Sequence, residues 1–212
     1  EVPPEFSRVK QALDLDNYDQ ALKLLSELRS EALKTRNKTV LQEILVKTKE
    51  VNRLKREFVK VREEYETLKK NPNDSKACEQ IGIFYCVEKG NWGKGLLLLS
   101  KSDKPELRKT ASIDLKRPAS SSQQANLSDA WWSLAANEKG KIRKAFQLRG
   151  RHWYLLARPG LTQEERVSRD QQLQYIVLET DKIVIWNLHY GRASDRGTVE
   201  CLVTLLYRGK PV

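Results

Sequence analysis

Residues 51–68 read VNRLKREFVKVREEYETL. Val51, Leu54, Phe58, Val61, Tyr65 and Leu68 recur at alternating steps of three and four, the spacing of an apolar seam along one helix. No proline or glycine interrupts the chain from Thr39 to Lys70, so one long helix is predicted over about 39–70. The seam lasts only about three heptads. An arm packed on a neighbouring helix of the same chain therefore suits it better than a parallel coiled-coil dimer. Asn71-Pro72-Asn73-Asp74 stops the helix and offers a cap to the next one.

Working outward toward the N-terminus, Phe6, Val9, Leu13 and Leu15 mark a short helix. Asp16-Asn17 breaks it and caps a second helix carrying Tyr18, Ala21, Leu22, Leu24, Leu25 and Leu28, which ends at Arg36-Asn37-Lys38. Toward the C-terminus, Ala77, Cys78, Ile81, Ile83, Phe84 and Tyr85 mark one helix. Lys89-Gly90-Asn91 makes a turn, and Trp92 opens the next helix. A short helix is predicted from Pro105 to Asp114, with proline at an early helical position. Pro118-Ala119-Ser120-Ser121-Ser122 reads as a low-complexity connection. A further helical pair follows, one member holding Leu127, Ala130, Trp131 and Leu134, the other Ile142, Phe146, Trp153 and Tyr154. Pro159-Gly160 ends it, and Thr162-Gln163-Glu164-Glu165 is a capping-box pattern opening a last helix to about Leu173. Beyond that the period changes. Ile183–Trp186 and Val199–Leu205 are rich in β-branched and aliphatic residues and flank a polar loop, which predicts a short β hairpin or partial β module over 179–212. The strand-like pattern is still running at Lys210-Pro211-Val212, so this segment is expected to open a larger β module.

The fold expected is thus mainly α: a helical-hairpin array over 1–178 with a long arm, then the β segment. Two hairpins carry the mark of tetratricopeptide-like repeats. Asn17-Tyr18-Asp19-Gln20-Ala21-Leu22 is similar to the start of such a repeat's second helix, and Ile81-Gly82 with Tyr85 to its first. Gly82 would admit a close neighbour and Tyr85 would fill the groove. The two units lie about 60 residues apart rather than 34, so the array is degenerate.

The chain has 212 residues, 39 Lys and Arg against 28 Asp and Glu, and a net charge of +11. No apolar run approaches the roughly 20 residues of a membrane span. Two histidines and three cysteines exclude a zinc finger and a disulfide scaffold. Cys78 and Cys86 stand two helical turns apart, about 12 Å, beyond the roughly 7 Å a disulfide tolerates. All three cysteines are expected to be buried free thiols. There is no methionine, and the chain starts Glu1-Val2-Pro3-Pro4-Glu5, a polar lead-in of the kind that follows a cleaved signal peptide.

Three strings carry a more particular resemblance: Phe84–Trp92 with Gly95-Leu96, Ser128–Ala135, and Arg151-His152-Trp153-Tyr154 with Pro159-Gly160-Leu161-Thr162. They resemble a family of exported proteins of planctomycete-type bacteria, in which a tetratricopeptide-like region precedes a β-rich module. Ile185-Trp186-Asn187, Asp195–Thr198, Cys201 and Tyr207-Arg208-Gly209 resemble the opening of that module. The resemblance spans about residues 8–212. It implies a periplasmic or extracellular location and brings no established activity with it.

No catalytic pattern accompanies these features. His152 and His189 are not tied to any nucleophile, and no phosphate-binding loop or nucleophile elbow occurs. Asp14, Asp16 and Asp19 lack the glycine and terminal glutamate of a calcium loop. A non-enzyme without cofactor or metal is expected, a scaffold holding a protein or cell-envelope component. Adjacent Trp131 and Trp132 cannot both face one side of a helix, so one is expected in the core and the other in a groove or domain contact. A first alternative is glycan binding by the loop residues Asn187, His189, Tyr190, Arg192, Asp195 and Arg196, whose ring and polar groups suit a sugar. A second is binding of a polyanion such as an acidic glycan, or of nucleic acid, by Lys141, Arg143, Lys144, Arg149 and Arg151, within a stretch over 139–169 that holds nine Lys and Arg against two Glu. Of these partners nucleic acid is the least expected, because no recognition motif is present.

Overall fold

The computed structural model describes residues 6–174 and, beyond them, only the backbone pairing of Leu206–Tyr207 with Lys210–Pro211, antiparallel. The predicted β segment around Ile183–Trp186 and Val199–Leu205 lies outside the described residues, as does the loop from Asn187 to Arg196. The chain divides into two units, Glu1–Leu161 and Thr162–Val212.

The described residues of the first unit are mainly helical. They form α1 (Ser7–Asp14), α2 (Tyr18–Lys34), α3 (Lys38–Lys60), α4 (Arg62–Lys70), α5 (Ser75–Ile83), α6 (Trp92–Leu99), α7 (Pro105–Leu115), α8 (Ser121–Ala136) and α9 (Gly140–Ala157). Among the described residues no helix is long and apolar enough to cross a membrane. Side-chain caps set the starts. Asn17, Asn37, Asp74, Asn91 and Ser120 accept the backbone N–H of Gln20, Val40, Ala77, Lys94 and Gln123 at 2.9–3.3 Å. Each such cap contributes about 1 kcal/mol. Ser120 belongs to the serine-rich stretch read as a connection. That stretch instead opens α8, because serine is a good N-cap and Ser121 and Ser122 tolerate the first turn.

The predicted long helix is two helices. At Val61 the backbone leaves helical angles (φ −115°, ψ 16°), and the Val61 N–H bonds Phe58 O, a tighter turn than the α ladder makes. The seam survives the break. Val51 and Leu54 are fully buried, while Phe58, Val61, Tyr65 and Leu68 pack on the same cluster. Their partners are Val9, Tyr18, Ala21, Leu25, Ile81 and Phe84 of this chain, so the arm is packed from within. Leu15, counted with the α1 stripe, is exposed at the turn into α2.

A second core lies further along the chain, built on Leu96, Leu99, Leu107, Leu127, Trp131 and Phe146. The two cores meet at a π-helical turn, Phe84–Glu88, that continues α5. There the Lys89 N–H reaches back five residues to Phe84 O. Phe84 and Tyr85 serve the first core, Cys86 the second. Helix pairs close where they carry glycine. A Cβ on Gly95 would stand 2.3 Å from Cys86 Sγ and 2.9 Å from Gly82 O. A Cβ on Gly150 would stand 2.7 Å from the Trp132 ring, beside the buried bond from Ser128 Oγ to Gly150 O at 2.8 Å.

In the second unit the capping box forms as predicted and opens α10 (Gln163–Gln174). Thr162 Oγ1 accepts the Glu165 N–H at 3.3 Å, and Glu165 Oε2 accepts the Thr162 N–H at 2.8 Å.

Candidate partner-binding cleft

Two buried polar clusters hold the first unit together. Asp114, at the end of α7, has a fully buried carboxylate. One oxygen accepts the indole N–H of Trp131 at 2.8 Å, that of Trp153 at 2.9 Å and Arg149 Nε at 2.9 Å. The other accepts Arg149 Nη2. The guanidinium also lies 4.9 Å from the Trp92 ring centre and 5.5 Å from that of Trp153. One carboxylate thus joins α7, α8 and α9, and the cation it holds reaches α6.

Asp16 does the same for the N-terminal hairpin. Its residue sits in the left-handed region (φ 56°), which turns the carboxylate inward between α1 and α2. It accepts the hydroxyls of Tyr18 at 2.9 Å and Tyr85 at 2.5 Å and the ammonium of Lys89 at 2.6 Å. Lys89 also donates to Leu13 O at 2.7 Å. Burial, the bond to Asp16 and its negative charge push both phenols well above their ordinary range. With every oxygen occupied by tyrosine and lysine, Asp16 is a tether rather than a ligand in waiting.

A cleft of about 540 Å³ runs between the junction of α3 and α4, the π turn and the start of α9. Its floor is apolar, from Val61, Ile83, Phe84, Val87 and Ile142. Its rim carries Glu57, Glu88, Lys60, Lys139 and Lys141. The π turn places Glu88 there, where it pairs with Arg53 of α3 and, at 2.9 Å, with Lys141 of α9. Arg53 also donates to Glu88 O at 3.0 Å. The bond from Lys60, and the charge of Lys141, hold the Glu57 carboxyl below its usual range. Lys141 is exposed, so its pairing is worth only about 0–1 kcal/mol and can be exchanged for a contact to a partner.

Trp131 takes the core position and is fully buried, so it lines no groove. Trp132 is half-buried and covers Gly150. Arg149, expected among the polyanion contacts, is instead spent on Asp114, because a buried carboxylate with two indole donors still needs a cation. Lys141 rims the cleft. Arg143 and Arg151 are exposed on α9 and Lys144 is half-buried there, none of them in an ion pair among the described residues. Asn187, His189, Tyr190, Arg192, Asp195 and Arg196 lie outside the described residues. His152 is exposed and stacks edge-on with Trp153, and partial desolvation and Arg149 hold its imidazole below the ordinary value.

Sequence reading missed Glu57, Lys60, Glu88 and Val87 as cleft residues. A signal existed at Val87-Glu88-Lys89, where α5 runs on without a helix break although its core-facing register changes. No protein-family model matches the chain, and no curated protein or solved structure matches it.

Proposed function

We propose that the protein is a non-catalytic interaction scaffold, a degenerate tetratricopeptide-like array that holds a protein partner of the cell envelope. The observation that carries this reading is the cleft between α3–α4, the π turn and α9, with an apolar floor and a rim of both charges. An apolar floor supplies affinity and a mixed rim supplies orientation, the division of labour of protein-binding surfaces. The chemistry-bearing side chains best placed for catalysis are engaged otherwise. Asp16, Lys89 and Tyr85 close one hairpin, and Asp114 and Arg149 close another. The tetratricopeptide-like arrangement draws support from Gly82 lying against Leu99, and from Tyr85 filling the space between helices. Export is carried over from the family resemblance.

The test is a photo-crosslinking amino acid at Gln80, inside the cleft, in the full chain in cells, with Glu31 on the exposed face of α2 as the control position. The expected result is one protein crosslinked from Gln80 and not from Glu31, recovered from an envelope or extracellular fraction and retained in high salt. Equal crosslinking from both positions, or a turnover activity abolished by cleft substitutions, would overturn the reading.

A further inference from the structure

A separate cleft of about 730 Å³ lies between α7 and α8 and shares no lining residue with the one above. Helical spacing builds both of its walls. On α7, Lys109, Ile113 and Lys116 stand at i, i+4 and i+7. On α8, Gln123, Leu127 and Ala130 repeat the same spacing. The floor is apolar, and no carboxylate lines the cleft among the described residues. Lys109, Lys116 and Arg117 are exposed, and none of them forms an ion pair among the described residues. This contrasts with the rim of the first cleft, where Glu88 and Glu57 answer the cations. Arg117 holds a left-handed backbone (φ 50°) at the end of α7, a position glycine or asparagine fills with less strain. Arg117 is one of the residues that line the cleft.

From these observations we infer that the α7–α8 cleft docks a short amphipathic helix of a partner protein, with two or three carboxylates beside its apolar stripe. The inference rests on the scaffold reading and names the chemistry of the partner. From i to i+7 the α7 wall runs about 10 Å, two turns of a docked helix. The apolar residues of that helix cover Ile113 and Ala130, and its carboxylates meet Lys109, Lys116 and Arg117. A polyanion without apolar groups would leave the floor unused.

The probe is a fluorescein-labelled peptide with leucines at i, i+3 and i+7 flanked by glutamates, measured by anisotropy against the full chain. Controls are its glutamine counterpart, oligoglutamate, and dodecanoate as a competitor. Saturable binding is expected, weakened at least about tenfold in K109E/K116E/R117E and in the glutamine peptide. Arg117→Gly gives an independent check, since it relieves the backbone while removing the guanidinium. It should keep or raise the unfolding temperature and weaken the peptide. Unchanged affinity in the charge-reversal and Arg117→Gly variants, equal binding of oligoglutamate, or displacement by dodecanoate at lower concentration would overturn the inference. Loss of peptide binding alongside intact crosslinking from Gln80 would sink this inference alone, whereas loss of the Gln80 crosslink would count against the scaffold reading itself.

Discussion

Asp114→Asn removes one charge from the cluster that joins α7, α8 and α9, and its cost can be worked from the geometry. The asparagine oxygen can keep both indole donors and Arg149 Nε, which all converge on one carboxylate oxygen. The amide NH2 then faces Arg149 Nη2, donor against donor. The guanidinium, only 17% exposed, loses its counter-charge. Breaking a buried pair from one side costs about 3–5 kcal/mol. The rings of Trp92 and Trp153 still face the cation and retain about 1 kcal/mol, which places the expected loss near 3 kcal/mol. For a unit of this size that lowers the unfolding temperature by about 6–12 °C. The assay is thermal and urea unfolding followed by far-ultraviolet circular dichroism and tryptophan fluorescence. A double-mutant cycle with Arg149→Gln reads the coupling at this position, the glutamine carbonyl of the double variant being able to accept from the new amide. The double variant should lose about 2 kcal/mol less than the sum of the singles. A loss under about 1 kcal/mol in Asp114→Asn, or a coupling under about 0.5 kcal/mol, would refute the assignment of Asp114 as the joint of this core.

Gly95→Ala should destabilise by about 1–3 kcal/mol, because its Cβ collides with Cys86 Sγ and the Gly82 backbone, whereas Gly93→Ala, whose nearest contact is 3.6 Å away, should stabilise by up to about 1 kcal/mol; chemical denaturation of the two variants checks the contrast. Burial pushes the Cys86 thiol up to about 12, so iodoacetamide at mildly alkaline pH should leave the peptides bearing Cys86 and Cys78 unmodified until the protein unfolds, as read by mass spectrometry. A raised thiol also means that the stability Cys86 contributes is complete below its ordinary range and is lost as pH climbs toward about 12. The phenols of Tyr18 and Tyr85 are raised as well, so their contribution is complete below about pH 10 and falls above it by up to about 1.4 kcal/mol per pH unit for each. Tyr85→Phe should flatten that alkaline slope by one tyrosine's share while lowering stability at neutral pH by about 1–3 kcal/mol, and an unchanged slope in a pH series of urea melts would contradict the placement of Tyr85 on Asp16.

Helix starts were legible because they are local. Asn17, Asp74 and the Thr162–Glu165 box act within three residues of themselves, and each caps as its sequence context predicts. The break at Val61 was not legible. No proline or glycine marks it, and the residues of the seam keep their spacing through it. The roles of Arg149 and Asp114 were hidden for a different reason. Arg149 sits in a basic stretch, and composition cannot show that a carboxylate 35 residues earlier claims it. The candidate cleft was likewise invisible, since Glu57, Glu88 and Lys141 come from three separated helices and each alone reads as solvated surface.

The sequence by itself determined that residues 6–174 are mainly helical, where most of those helices begin and end, and which residues form their apolar faces. Propensity, capping and periodicity are properties of a few consecutive residues, and they need no partner to be read. Only the tertiary structure decided which charged and aromatic side chains are spent inside and which remain at an open face. A carboxylate such as Asp114 or Asp16 becomes a buried joint through donors brought from distant helices. The cost of burying a charge depends on those neighbours, and their distances are fixed only once the chain has folded.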